Sequence, residues 1–175
     1  MTRPQTTALV TLRLFIGWHF LYEGLAKLAN PYWTSAEYMD QAGWLFKKVF
    51  VALAANPTAV TVIDFLNEWG LVLIGLGLLF GLFTRTAAVA GIVLLLLYYI
   101  AAPPLIGLTS AAPREGSYLI VNKVLIEAAA LAVLVVFNTS RSFGLDGLIF
   151  RRRTPAAAAI PVEPSVEPSI ARARV

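Results

Sequence analysis

Between Arg13 and Asn30 the chain reads RLFIGWHFLYEGLAKLAN, a run apolar enough to enter a bilayer that still carries Arg13, His19, Glu23 and Lys27. On a helix Arg13, Lys27, Glu23 and His19 fall at about 0°, −40°, −80° and −120°. They form one polar stripe, while Leu14, Phe15, Leu21, Leu25 and Leu28 keep much of the remaining surface apolar. A membrane helix with four ionisable groups on one side must turn that side toward protein, water or a ligand. The other helices are therefore expected to supply the wall that this stripe faces.

The rest of the chain supports a bilayer as the solvent. Of its 175 residues, 58% are hydrophobic and 14% charged, against roughly 45–50% and about 25% in soluble domains. Cysteine is absent and there is one histidine, which excludes a disulfide framework, a Cys-ligated iron–sulfur cluster, a zinc finger and bis-His haem from this chain alone. The net charge of +4 is no signal for nucleic acid, because much of the positive charge lies in the C-terminal end. No A-x-A-like cleavage site follows the first apolar segment, so it reads as a retained helix.

The first span is expected from about Thr7 to Ala29, ended by Asn30-Pro31. In residues 31–57, Thr34-Ser35-Ala36-Glu37 fits a capping box. Behind it Leu45, Phe46, Val49, Phe50 and Leu53 recur at helical spacing, as in an amphipathic helix at the membrane surface, with a loop over the bundle mouth as the alternative. Asn56-Pro57 opens a second span reaching about Phe83, with Asp64, Asn67 and Glu68 on one face near its start. Gly77-xxx-Gly81 reads as a close-packing ridge for a neighbouring helix. After a turn at Thr84-Arg85-Thr86, a third span covers about Ala87–Ala102 and stops at Pro103-Pro104; a fourth covers about Tyr118–Phe137 with Asn122, Lys123 and Glu127. The expected fold is all-α: an integral membrane four-helix bundle with an extra amphipathic helix between spans one and two. Residues 1–150 form that domain, and residues 151–175 form a basic, Pro/Ala-rich, disordered cytoplasmic tail.

Four spans put both termini on one side. That side collects Arg3, Arg85, Arg141, Arg151, Arg152, Arg153, Arg172 and Arg174, against Lys47, Lys48 and Arg114 on the other, so both termini are expected to be cytoplasmic. Tyr32, Trp33, Tyr38, Trp44, Trp69, Tyr98, Tyr99 and Tyr118 then fall at the outer face as an aromatic belt. Glu23, Lys27, Asp64, Glu68, Asn122 and Lys123 share the outer half of the bilayer, with His19 and Glu127 near mid-depth. A buried charge costs ~2.5–3.5 kcal/mol on insertion scales, and Lys27 and Lys123 facing the four carboxylates would offset much of it. Either these are interhelical ion pairs that fix register, or they line a pocket open to the outer surface or to lipid. Arg13 lies about one turn into the first span, where it can snorkel to phosphates.

The ordered set of residues resembles a known family. Arg13…Gly17-Trp18-His19-Phe20…Glu23-Gly24…Lys27, Asn30-Pro31-Tyr32-Trp33-Thr34-Ser35, Gly75…Gly81-Leu82-Phe83-Thr84-Arg85 and Asn122-Lys123…Ile126-Glu127 are similar to the DoxX/DoxD family of small four-helix membrane proteins, over roughly residues 10–140. The resemblance implies a subunit linked to redox chemistry, which in DoxD-type members is thiosulfate oxidation to tetrathionate with electrons passed to a quinone.

On that basis the expected catalytic residues are His19, Glu23, Lys27 and Glu127, with Arg13, Asp64, Glu68, Asn122 and Lys123 binding substrate or quinone. Carboxylates and the imidazole would move protons, and the lysines would stabilise anionic oxygen. No metal or flavin motif is present; quinone is the expected lipid-soluble substrate. The expected setting is a bacterial-type inner membrane, with the bilayer, a redox subunit or a second copy of the chain as partners and no nucleic acid. The alternatives are a non-catalytic scaffold or accessory subunit of a larger membrane complex, and a small transporter.

Overall fold

A computed structural model describes residues 2–40, 42, 46–104, 120–137 and 144. Among these every regular element is helical: α1 (Arg3–Ala29), α2 (Ala36–Asp40), α3 (Lys47–Ala54), α4 (Pro57–Phe80), α5 (Thr84–Ala101) and α6 (Lys123–Val136). The helices α4 and α5 are long and apolar enough to cross a membrane, and only 33% and 28% of their most apolar windows are buried inside the protein. Core helices of soluble proteins bury such faces; here Phe65, Leu66 and Leu73 of α4 and Val93 and Leu97 of α5 stay exposed, as lipid-facing residues would.

Close contacts fix an up-and-down arrangement of the four longer helices. Gly24 of α1 meets Val72 of α4, and Gly17 meets Leu78, so the two run antiparallel. Asn67 and Gly77 of α4 meet Tyr98 and Ala87 of α5. Gly91 of α5 meets Leu131 of α6, and the Tyr99 hydroxyl donates to the Ile120 carbonyl before α6. Between them lies one apolar core, to which α1 gives Ile16 and Phe20, α4 gives Leu71, Ile74 and Leu78, α5 gives Leu95, and α6 gives Leu131 and Leu134. Packing is extensive between α1 and α4 and between α5 and α6, and sparser between α1 and α6.

The tightest helix crossing is not at the expected Gly77-xxx-Gly81 ridge. It is at Gly75, where a Cβ would sit 2.5 Å from the Leu21 backbone nitrogen and 2.8 Å from the Gly17 carbonyl oxygen. Gly77 does abut Ala87 of α5, but Gly81 ends α4 in the left-handed region at φ 65°, and the Gly77 carbonyl accepts from the N–H groups of Gly81 and Leu82. Glycine alone takes that φ without strain. The turn therefore occupies residues 81–83, and α5 begins at Thr84 rather than near Ala87.

Other boundaries also differ from expectation, and α1 begins at Arg3 rather than about Thr7. The single amphipathic helix over residues 31–57 is two short helices, α2 and α3, with Ala42 between them outside any helix. Ser35, not Thr34, directly precedes α2; the Thr34 hydroxyl accepts the Ala36 N–H in a local turn instead of pairing with Glu37 in a capping box. The last helix starts at Lys123, not Tyr118, because the Asn122 side chain caps it by accepting the Leu125 N–H at 2.9 Å. The expected tail, Arg114, Leu45, Trp44, Tyr118 and the basic residues from Arg141 onward lie outside the described residues.

Candidate functional site: a polar cleft between α1, α5 and α6

The polar stripe of α1 faces α6 across the loosely packed seam. His19 Nδ1 lies 2.7 Å from Glu127 Oε1, a hydrogen bond joining residues 108 positions apart in sequence. One and two turns further along α1, Glu23 and Lys27 pair at 3.6 Å. These four and Lys123 line one cleft of about 240 Å³. Phe20, Leu71, Leu95 and Val124 make its apolar walls, and Tyr38 and Tyr98 complete the lining. Glu127 is 14% exposed and Lys27 16%, whereas His19 and Glu23 are about half exposed at 49% and 48%. The deeper carboxylate thus belongs to α6 and the deeper cation to α1.

Aromatic rings hold Lys27. Its Nζ is 5.2 Å from the centre of the Trp33 ring and 5.6 Å from that of Tyr98, both within cation–π range. The Tyr38 hydroxyl donates to the Tyr98 carbonyl at 3.1 Å, and the two rings meet edge-on. Burial pushes the Tyr38 hydroxyl up to about 12, so it stays protonated at physiological pH. Asn67 of α4 donates through Nδ2 to the Tyr98 hydroxyl oxygen at 2.6 Å.

Four of the residues expected to bind substrate lie elsewhere. Arg13 is 3% exposed and lies six residues before His19 on α1, where its guanidinium and Gly144 both border Gly81; it neither lines the cleft nor snorkels outward. Asp64 accepts from the Thr34 hydroxyl at 3.0 Å and the Ser35 N–H at 2.8 Å, tying the start of α2 to α4. Asn122 is a helix cap, as above. Glu68 is half-buried outside the cleft lining and reaches Lys27 only through its charge. For Asp64 and Asn122 a backbone N–H partner takes the group away from the cleft.

The Asp64 clasp has a measurable consequence. Asp64→Ala removes two hydrogen bonds to a carboxylate, each worth about 1.5–3 kcal/mol. Amide exchange in residues 34–40 is expected to speed up at least tenfold with α4 unchanged, as hydrogen-exchange mass spectrometry would show.

The model of the DoxX family matches residues 8–104. This chain belongs to the DoxX family. No curated protein and no solved structure matches it. With its two bilayer-length apolar helices, this DoxX chain is a membrane protein of a redox-linked kind. The matched stretch carries His19, Glu23, Lys27 and the aromatic residues of the cleft, while Lys123 and Glu127 lie beyond it.

The aromatic belt expected at the outer face includes Trp33, Tyr38 and Tyr98, but in this DoxX protein Trp33 and Tyr98 flank Lys27, and Tyr38, still 40% exposed, lines the cleft against Tyr98. Tyr32 and Trp69 do stay exposed, at 90% and 44%. For Tyr98 one signal was available: with Tyr99 it is the first polar side chain of α5 after the Thr84-Arg85-Thr86 start, and a phenol at that depth needs a partner that a residue at the lipid interface does not. Among the described residues no three His, Cys, Asp or Glu side chains gather as a metal site would require.

Proposed function

We propose that this DoxX protein is the membrane subunit of a quinone-linked redox system, with the cleft receiving the quinone ring and a small sulfur anion such as thiosulfate as the reductant. The observation that carries this reading is the meeting of the His19–Glu127 hydrogen bond, the Lys27 ammonium and four apolar walls in one cleft of about 240 Å³. That is below the roughly 300–1,000 Å³ of drug-sized pockets and suits a single substituted ring with its tail left in lipid. Half-exposed His19 and Glu23 sit on the seam between α1 and α6, which gives a lipid-borne ring a lateral way in.

Two thiosulfates joining through a new S–S bond release two electrons; a quinone accepting them takes up two protons and becomes a quinol. Glu127 and His19 hand protons to the quinone oxygen. Lys27, pre-positioned between Trp33, Tyr98 and Glu23, stabilises negative charge developing on the quinone's other oxygen. Glu23 and Lys123 connect the cleft to its polar mouth. The Lys47–Lys48 pair and Lys123 lie toward the cleft end, while Arg3 and Arg85 lie toward the other. With the Arg-rich end inside, the cleft opens to the outer face of a bacterial-type inner membrane and both termini are cytoplasmic.

The test is purified protein in liposomes with decyl-ubiquinone and thiosulfate, followed by quinol absorbance and tetrathionate. One tetrathionate per quinol is expected. A second reading, a non-catalytic accessory subunit, draws on the exposed row Phe15, Trp18, Tyr22 and Leu25 of α1, which offers a ridge to a partner helix. Absence of turnover together with a stably co-purifying membrane protein would decide for it.

A further inference from the structure

We propose that Tyr98 is a second ligand-binding group of the cleft, its hydroxyl donating a hydrogen bond to a quinone carbonyl, with Asn67 as the positioning residue that turns the proton that way. The inference deepens the quinone reading and rests on it.

A phenol has one proton and an oxygen that can also accept. Asn67 Nδ2 donates to the Tyr98 oxygen at 2.6 Å, which uses the accepting side. The Tyr98 proton then has no acceptor among the described residues, although the ring lines the cleft. The other tyrosine of the lining differs in this respect, because the Tyr38 hydroxyl already donates to the Tyr98 carbonyl. Tyr98 is thus the cleft phenol with a donor to spare.

Asn67 has the character of a residue kept for this purpose. It is 8% exposed, and its Oδ1 has no hydrogen-bond partner among the described residues. Leaving a buried carbonyl unpaired costs stability. Turning the amide over would pair Oδ1 with the Tyr98 proton and withdraw that proton from the cleft, so the donating orientation of Asn67 is the one that leaves it for a ligand.

His19 and Lys27 are eight residues apart on α1, about 12 Å along its axis, and Tyr98 sits beside Lys27. The cleft therefore has donors at both ends: His19 with Glu127 at one, Tyr98 with Lys27 at the other. A ligand with an oxygen acceptor at each end of a flat ring meets both, as a para-quinone does. A ligand with one acceptor meets only one.

The experiment uses the full chain in liposomes with decyl-ubiquinone as the probe, reading equilibrium binding and the infrared carbonyl band of the bound quinone. In the unmodified protein the band is expected to move to lower frequency on binding. Tyr98→Phe, which removes one oxygen, should weaken binding about five- to tenfold, as loss of one hydrogen bond does, and return one carbonyl component toward its position in lipid. Asn67→Leu should weaken binding less and broaden that component, and it should add nothing in the Tyr98→Phe background. Unchanged binding and an unchanged band in Tyr98→Phe would overturn the proposal while leaving the quinone reading standing. No binding by the unmodified protein would overturn both. A thermal unfolding midpoint within a few degrees of the parent certifies each variant, and Tyr98→Phe alone decides if Asn67→Leu does not fold.

Discussion

Glu127→Gln is expected to cut quinone reduction by about 10²–10⁴-fold, the usual contribution of a positioned proton donor or acceptor, while quinone binding changes far less. Glutamine keeps the shape and can still accept a hydrogen bond from His19, so the 2.7 Å contact between α1 and α6 need not break. What it loses is the ability to take and release a proton. Because His19 and Glu127 act through one hydrogen bond, His19→Gln should have a similar effect alone and add little to Glu127→Gln, as is usual for groups working as a unit. Turnover by both single variants at the unmodified rate would mean that the pair only holds α1 against α6. Steady-state quinol formation in liposomes, set beside separately measured decyl-ubiquinone binding, distinguishes the two roles.

The largest expected effect on stability is at Gly75. Any side chain there meets backbone, not a flexible neighbour: 2.5 Å to the Leu21 nitrogen and 2.8 Å to the Gly17 oxygen. Overpacking in a yielding core costs about 1–3 kcal/mol, and a clash with helix backbone leaves nothing local to yield. Gly75→Leu is therefore expected to cost at least ~3 kcal/mol, or to force α1 off α4 and open the cleft that α1 helps to line. Gly70 is the matched control. It lies on the same helix with nothing within 4 Å of an added Cβ, so Gly70→Ala should leave the unfolding midpoint equal or slightly raised. Thermal unfolding in detergent and expression yield compare the two. Equal loss in both would show that α4 is sensitive to helix composition and not to the crossing.

Some of this was legible in the chain and some was not, and the division has physical causes. The angular stripe of His19, Glu23 and Lys27 follows from helical periodicity alone, and the structure places all three on one cleft. Periodicity could not say which residue of α6 would answer them, since the His19–Glu127 bond depends on how two helices 108 positions apart are set in height. Local chemistry defeated the reading of Asp64 and Asn122: a carboxylate or amide beside unpaired backbone N–H groups binds those first, and hydropathy gives no warning of it. In the sequence Gly77 and Gly81 share one packing ridge, with Gly75 outside it. Only dihedral angles and distances separate Gly75, which meets a backbone, from Gly81, which ends the helix.

The pose of Lys27 over Trp33 carries a practical consequence. An indole's emission responds to a nearby positive charge, and here that charge hovers 5.2 Å above the ring. Any guest that draws the ammonium inward must alter the light the indole gives off. With Trp18, Trp44 and Trp69 changed to phenylalanine, the remaining fluorophore becomes an optical gauge of occupancy built into the molecule, readable in native lipid without a label.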